Sequence, residues 1–230
     1  MTSKYEEMII LRIVCLSFDD GTIYDERFIE LLNKYNLKAT LNLNSGLKDF
    51  VWNFGTRPVV RLDLNKSKEI YKGHEVASHS VTHPYFSGLT KEDVIKEVKD
   101  DVKALNQIFD DKIVGFAFPF HDQTEEHINL IKDNVPLEYI RYSYLTNDYM
   151  PKDRYHIPIH AIYNDKDIYE RLDEFSKNDL ENSLFLIAGH AYEFEMRNDW
   201  ETIENLLKYL KNNKNITVLT VKDAVKVLFG

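Results

Sequence analysis

Two histidines and two aspartates stand at spacings that could bind a metal ion and activate a water molecule. His79 and His83 are four residues apart, so one helical turn or a tight loop would direct both imidazoles to one point. Asp19 and Asp20 are adjacent and are followed by a glycine. Two histidines with one carboxylate suit zinc or another divalent first-row metal and leave coordination positions open for water. The second carboxylate is then free to remove a proton from that water.

Each pattern also has a simpler explanation. Paired histidines at this spacing arise often by chance, and aspartate with glycine commonly forms a turn at the end of a strand. A turn rarely needs both carboxylates, so we interpret Asp20, His79 and His83 as metal ligands and Asp19 as a catalytic base. A non-haem iron oxygenase centre also uses two histidines and one carboxylate and is an alternative. The second aspartate counts against it.

Length and composition favour one folded domain over residues 1–230. The net charge of −9 disfavours nucleic acid as a ligand, because such binding relies on clustered lysine and arginine. Cys15 is the single cysteine, so an internal disulfide is excluded, and we interpret it as a buried core residue. The apolar segment 8–16 is short and contains Arg12, unlike a signal peptide or a membrane span. We therefore expect a cytoplasmic protein without membrane contact.

Strands and helices alternate along the chain. The segment 9–18 is nearly continuous in apolar residues, which is typical of a strand covered on both faces. Further strands are predicted at residues 38–43, 75–78, 113–118, 139–142, 156–162, 183–188 and 217–219. Helices are predicted after caps at Asp25 and Thr90, and at residues 67–71, 166–175, 200–211 and 221–228.

Alternating strands and helices predict parallel βαβ units, and about eight strands predict a barrel or an incomplete one. Chemistry in such folds collects where strands end. Three polar clusters follow predicted strands: Asp19 with Asp20, the segment 79–83, and Gly189 with His190. The sequence therefore predicts one active site at the carboxyl ends of the strands.

Two of these segments resemble motifs of a known family. The segments 17–21 (Ser-Phe-Asp-Asp-Gly) and 79–83 (His-Ser-Val-Thr-His) resemble the first two motifs of the polysaccharide deacetylase family, also called the NodB-homology or carbohydrate esterase family 4 domain. The resemblance implies a distorted or incomplete (β/α) barrel of the NodB-homology type. It also implies that Asp19 is the base and that Asp20, His79 and His83 bind a metal, usually zinc.

The third motif of the family is present only in part. The segment 115–120 (Gly-Phe-Ala-Phe-Pro-Phe) keeps the aromatic-proline portion and lacks the arginine that usually precedes it. The resemblance implies that the Phe120 backbone N–H helps bind the oxyanion. Arg141, in a later predicted strand, is our candidate to replace the missing arginine and orient Asp19. A surface arginine without this role is the alternative.

The segment 184–190 resembles the last motif of the family, in which the histidine is the general acid for the leaving group. This implies that His190 is the catalytic acid, with a structural histidine as the alternative. The following residues resemble a small branch with a Gly-His-x-Tyr-Glu signature. Glu193 could orient His190 or contact substrate, and Ala188 stands where the family usually places a bulky apolar residue beside the acyl methyl group.

The expected activity is metal-dependent hydrolysis of an N-acetyl or O-acyl group on a carbohydrate, by attack of a metal-activated water. The expected partners are a divalent metal, most often zinc in this family, and an acylated carbohydrate substrate. The alternative from another class is a carbohydrate-binding or scaffold protein that keeps the fold with weak or no activity. The sequence leaves the sugar, the acyl group and the oligomeric state open.

Overall fold

The computed structural model describes residues 11–230. Ile9 and Ile10, with which the predicted first strand begins, lie outside the described residues. This strand, β1, spans Arg12–Asp19, and all its side chains from Ile13 onward are buried. A strand that is buried on both faces requires cover on both sides, as in parallel α/β sheets.

Ten further strands lie in the described part of the chain. In chain order they are β2 Thr40–Leu43, β3 Val51–Phe54, β4 Arg57–Val60, β5 Glu75–Ser78, β6 Gly115–Ala117, β7 Tyr139–Leu145, β8 Ile157–Ile159, β9 Ala161–Ile162, β10 Ser183–His190 and β11 Thr217–Leu219. Strands β3 and β4 form an antiparallel hairpin. The other nine form one sheet whose strand pairs are parallel.

The main sheet curls into an incomplete barrel. Its strand order is β8-β7-β6-β5-β2-β1-β10-β9, with β11 also paired to β1. The two ends of this path, β8 and β9, are separated in the chain by His160 alone, so the sheet returns upon itself. The His160 backbone N–H donates to the Leu186 carbonyl at 2.8 Å and ties this junction to β10. The predicted incomplete (β/α) barrel is confirmed.

Helices connect the strands and cover the sheet. They are α1 Asp25–Lys34, α2 Leu64–Ser67, α3 Lys91–Phe109, α4 Glu125–Asn134, α5 Ile168–Phe175, α6 Ala191–Met196, α7 Trp200–Asn212 and α8 Val221–Phe229, with short 3-10 helices at Lys68–Tyr71 and Phe86–Gly88. The Thr90 side chain caps α3, and Val94, Val98 and Val102 bury its apolar face at helical spacing. Among the helices of residues 11–230, none is long and apolar enough to cross a membrane.

Several elements differ from the sequence expectation. The hairpin of β3 and β4 and the helices α4 and α6 were not predicted. The Thr124 side chain caps α4 in a capping box with His127. Asp25, predicted as the cap of α1, is instead its first residue, and its buried carboxylate accepts from the Thr22 backbone N–H at 3.1 Å. The residue at the N-cap position is Tyr24.

Candidate active site

Strand register places the polar residues of β1 beside those of its neighbours. Asp19, the last residue of β1, lies opposite His190, the last residue of β10. On the other edge of β1, Asp19 lies opposite Asn42 of β2. On β7, Arg141 lies opposite Ala117 of β6, inside a strand that is longer than the predicted segment 139–142. The carboxyl ends of the barrel strands therefore meet around one cleft, as expected from the sequence.

Asp20 and Gly21 form the turn that leaves β1. Asp20 has a φ of 93° and Gly21 a φ of 64°, a region that favours glycine and tolerates aspartate only in special settings. A Cβ atom added to Gly21 would also lie 3.1 Å from the Leu43 side chain. The glycine of the Asp-Asp-Gly motif therefore permits the sharp exit that turns the Asp20 carboxylate into the cleft.

Asp20, His79 and His83 form a cluster suited to a metal ion. One ligand atom from each lies within 4.8 Å of the others. The Asp20 Oδ1 atom lies 3.4 Å from His83 Nε2 and 3.8 Å from His79 Nε2. Within the described part of the chain, this buried oxygen makes no hydrogen bond. The His79 Nδ1 atom lies 2.8 Å from the Ala117 carbonyl, which fixes the tautomer with Nε2 free to ligate. The donor set, with an Asp20 oxygen that is in an ion pair with Arg61 at 3.0 Å but accepts no hydrogen bond within residues 11–230, fits a divalent metal.

The segment that carries both histidines is held by residues that the sequence analysis missed. Asp101, a fully buried residue of α3, accepts from Ser78 Oγ at 2.6 Å and from the His79 backbone N–H at 3.2 Å. Burial raises the pKa of Asp101 to about 6. Asn44 donates from Nδ2 to the backbone carbonyls of His79 at 2.5 Å and Ser80 at 2.8 Å. These contacts fix the position of the segment that contains His79 and His83.

Burial strongly affects the titration of the clustered groups. It lowers the pKa of His79 to about 3 and also lowers the pKa of His83. Both histidines are therefore neutral at pH 7, the form in which imidazole ligates metals. Burial alone would raise the pKa of Asp20, but Arg61 and His190 outweigh it, and the Asp20 pKa lies well below its usual value.

Asp19 is held by its own partners. Arg141 is 1% exposed, and its Nη2 lies 2.7 Å from Asp19 Oδ2. Asn42 Nδ2 donates to Asp19 Oδ1 at 2.7 Å. Burial by itself would raise the pKa of Asp19, but the opposing groups around it, with Arg141 foremost and then His79 and His190, together outweigh burial, so the pKa lies below its usual value. Asp19 is therefore ionised and fixed, with Oδ2 3.9 Å from His79 Nε2.

His190 faces the aspartates from β10. Its Nε2 lies 3.9 Å from Asp20 Oδ2, and its Nδ1 lies 3.2 Å from Glu193 Oε2. Arg197 Nη2 donates to the other oxygen of Glu193 at 3.0 Å. Burial would lower the pKa of His190, but the hydrogen bond to Glu193 and then the charge of Asp20 raise it to about 9. Glu193 thus contacts His190 in the structure and also lines the cleft.

The cleft above these groups has a volume of about 690 Å³. Its lining includes Trp52, Phe118, Phe120, Ile159, Ala188 and Tyr192. Phe120 has a φ of 53° after Pro119, and within residues 11–230 its backbone N–H makes no hydrogen bond. Its ring stacks on Tyr85 with centroids 3.9 Å apart. The site residues predicted from the sequence, Phe120 and Ala188 included, all line or face one cavity.

The sequence also matches a protein-family model. The model described as polysaccharide deacetylase matches residues 11–135, more than half of the chain. The chain belongs to the polysaccharide deacetylase family. The matched segment of this deacetylase-family chain contains Asp19, Asp20, His79, His83 and Phe120, while Arg141 and His190 lie beyond it. A search of curated proteins gives no match.

Solved structures of deacetylase-family members share the fold. A chitin deacetylase from Colletotrichum lindemuthianum has a TM-score of 0.60 at 17% identity, covering 95% of this chain and 89% of that one. A family 4 acetyl xylan esterase from Clostridium thermocellum, solved with a cobalt ion, has a TM-score of 0.57 at 19% identity, covering 93% and 90%. A CE4 family pseudoenzyme from Bacillus anthracis has a TM-score of 0.55 at 15% identity, covering 94% and 66%.

Proposed function

We propose that this deacetylase-family chain is a metal-dependent hydrolase that removes N-linked acetyl or O-linked acyl groups from a carbohydrate. The observation that carries the proposal is that the two adjacent carboxylates have different partners. Asp20 Oδ1 is faced by the Nε2 atoms of His79 and His83, whereas Asp19 is paired with Arg141. One carboxylate is thus available to bind a cation and the other to accept a proton.

Asp20, His79 and His83 would hold the metal, and we propose zinc as the resident ion. A divalent ion there supplies Lewis acidity, which acidifies water and polarises the acyl carbonyl. The cobalt ion in the solved acetyl xylan esterase agrees with a first-row metal in this fold. Three protein ligands leave coordination positions open, as in catalytic zinc sites.

Asp19 accepts the proton of the attacking water. Arg141 keeps its carboxylate ionised and Asn42 fixes its orientation, so the base is ready at neutral pH. In this proposal Arg141 is a positioning residue that acts through Asp19. It takes the place of the arginine that is absent from the third motif.

Phe120 and His190 act on the two ends of the scissile bond. The Phe120 backbone N–H, which donates no hydrogen bond within residues 11–230, is the proposed donor to the oxyanion, and Ala188 is proposed to line the acyl pocket. His190 is protonated at neutral pH because of its pKa of about 9 and gives its proton to the departing amine or alcohol. Glu193 holds the His190 ring through Nδ1, which leaves Nε2 for the leaving group.

Acetate release tests the proposal. The purified chain is incubated with acetylated chito- and xylo-oligosaccharides in the presence of Zn²⁺, Co²⁺ or a chelator, with Asp19→Asn as the matched inactive control. We expect metal-dependent release by the wild type and a loss of at least 100-fold in the variant. No release from any saccharide by the metal-loaded wild type would contradict it.

A carbohydrate-binding or scaffold protein without activity is the second candidate, since a pseudoenzyme shares the fold. The incomplete third motif favours this alternative, and the ion pair of Arg141 with Asp19 counts against it. Saccharide binding by isothermal titration, combined with no acetate release, would favour the binding protein.

A further inference from the structure

Arg61 is a buried cation that the proposed reaction does not use. It follows β4, is 6% exposed, and its guanidinium lies 5.0 Å from the Trp52 ring centroid on the hairpin. Its backbone N–H donates to the Phe50 carbonyl at 2.9 Å, and the next residue donates to the Gly21 carbonyl at 2.9 Å. The main chain around Arg61 is therefore fixed against the turn that contains Asp20.

The Arg61 side chain contacts two different segments. Its Nη1 donates to the Asp20 backbone carbonyl and to Asn44 Oδ1. Its Nη2 lies 3.0 Å from Asp20 Oδ1, in a direction that makes an ion pair without a hydrogen bond. A planar guanidinium can serve several acceptors at once, which a lysine ammonium at the end of a flexible stem does less well.

Asn44 extends the connection to the histidine segment. Its Nδ2 donates to the carbonyls of His79 and Ser80, while its Oδ1 accepts from Arg61. A continuous path thus runs from the Asp20 turn through Arg61 and Asn44 to the segment that carries His79 and His83. We call this path the Arg61–Asn44 bridge.

The residues joined by the bridge have unusual backbones. Asp20 has a φ of 93°, Ser80 of 67° and His83 of 55°. Such conformations persist only where surrounding contacts hold them. The carbonyls on which the bridge acts belong to Asp20 and Ser80 themselves, so the bridge holds the strained residues directly.

We propose that the Arg61–Asn44 bridge positions the metal ligands, fixing the Asp20 turn relative to the histidine segment before a metal binds. This inference rests on the proposed metal-dependent function. Arg61 is a positioning residue here, not a simple counter-charge. A cation beside a metal ligand disfavours metal binding by repulsion, so charge alone cannot explain a contribution to affinity.

Two substitutions that conserve charge distinguish an effect of geometry on metal binding from an effect of charge. Arg61→Lys keeps the positive charge but cannot reproduce the forked contacts, and Asn44→Leu keeps the side chain neutral and of similar size. Arg171→Lys is the matched control, because that guanidinium binds the His160 carbonyl away from the proposed metal ligands. Zn²⁺ affinity is measured by competition with a chromophoric chelator, and the visible spectrum of bound Co²⁺ reports ligand geometry.

We expect Arg61→Lys and Asn44→Leu each to weaken Zn²⁺ binding by about 10- to 100-fold and to alter the Co²⁺ spectrum, with Arg171→Lys unchanged. The double variant should bind about as weakly as either single variant, because both break one path. If Asn44→Leu does not fold, the Arg61→Lys affinity and spectrum decide.

Three results would overturn the bridge: unchanged affinity in Arg61→Lys and Asn44→Leu, additive losses in the double variant, or an equal loss in Arg171→Lys. Each leaves the proposed hydrolase intact, because the wild type still binds metal. A wild type that binds neither Zn²⁺ nor Co²⁺ would overturn both. A wild type that binds Zn²⁺ without releasing acetate would contradict the hydrolase alone.

Discussion

Arg141 and Asp19 form a buried ion pair in which Nη2 lies 2.7 Å from Oδ2. The two residues come from β7 and β1, which are not neighbours in the sheet, so the arginine side chain reaches across the barrel end. An unpaired arginine at 1% exposure would be costly, and Asp19 supplies the compensating charge. Contact between these two side chains therefore requires the curvature of the barrel, which brings β7 and β1 toward each other.

Arg141→Ala should lower turnover by at least tenfold while leaving Zn²⁺ bound, since Arg141 contacts Asp19, the proposed base, and none of the proposed metal ligands is its hydrogen-bond partner within residues 11–230. Its removal also raises the pKa of Asp19, so the acidic limb of the kcat/KM profile should move to higher pH. Rates at several pH values, with elemental analysis of the variant, measure both effects. An unshifted acidic limb would remove Arg141 from this role.

The two adjacent aspartates should respond differently to substitution. Asp20→Ala, His79→Ala and His83→Ala should each abolish metal binding, whereas Asp19→Asn should keep the metal and lose turnover. The reason is that Asp20 Oδ1 faces both imidazoles while Asp19 is held by Arg141. Elemental analysis of the purified proteins compares them. Equal metal loss in Asp19→Asn and Asp20→Ala would show that ligation is shared.

Ala188 should set the size of the acyl pocket. It lies opposite Ile162 in the sheet and lines the cleft with Phe118 and Ile159, whereas Ile187 points to the core on the other face. Its small side chain should admit acyl groups longer than acetyl, and Ala188→Leu should restore acetyl preference by roughly 10- to 200-fold at most. The ratio of kcat/KM for matched acetyl and butyryl substrates is the measurement. An unchanged ratio would place Ala188 outside the acyl site.

His160 should make stability depend on pH. Its Nδ1 accepts from the Leu186 N–H at 3.0 Å, its Nε2 lies 2.9 Å from the Asp148 carbonyl, and burial lowers its pKa to about 4. The unfolded chain, in which histidine has a pKa of about 6.5, takes up the proton first as pH falls. Stability from this group is therefore complete above about pH 6.5 and decreases toward pH 4, by about 3 kcal/mol at most.

Urea unfolding of the wild type and of His160→Gln across this pH range tests that expectation, because glutamine can accept and donate without titrating. The wild type should lose stability relative to the variant as pH falls. Parallel pH curves for the two proteins would exclude His160 as the titrating group.

Local patterns in the sequence predict the barrel and the residues at its strand ends. The apolar run of β1 and the helical spacing of apolar residues in α3 arise because these elements are buried. Hydrophobic periodicity therefore predicts such elements from the sequence. The hairpin had a signal as well: the aromatic residues Trp52 and Phe54 stand two apart in β3, and a two-residue turn with Gly55 at a φ of 63° follows. Thr124 and the apolar spacing after it likewise indicated α4.

Contacts between segments that are distant in the chain could not be predicted from local sequence patterns. Asn44, Arg61 and Asp101 act on the histidine segment through single hydrogen bonds across the fold. Such contacts depend on side-chain directions at the barrel end, and no local periodicity encodes them. Arg141 was open to two interpretations for the same reason, until the sheet placed it beside Asp19.

The pairing of β1 with β10 and β11 has a consequence for how the chain acquires its fold. During synthesis β1 emerges well before β10 and β11, so the β1 edge that pairs with β10, and the part of its other edge that pairs with β11, stay open until both later strands are available. Long-range pairing of this kind folds slowly, and an open edge invites association with other chains. Asp19 meets His190 only when this pairing forms, so until then the proposed base lacks the proposed acid.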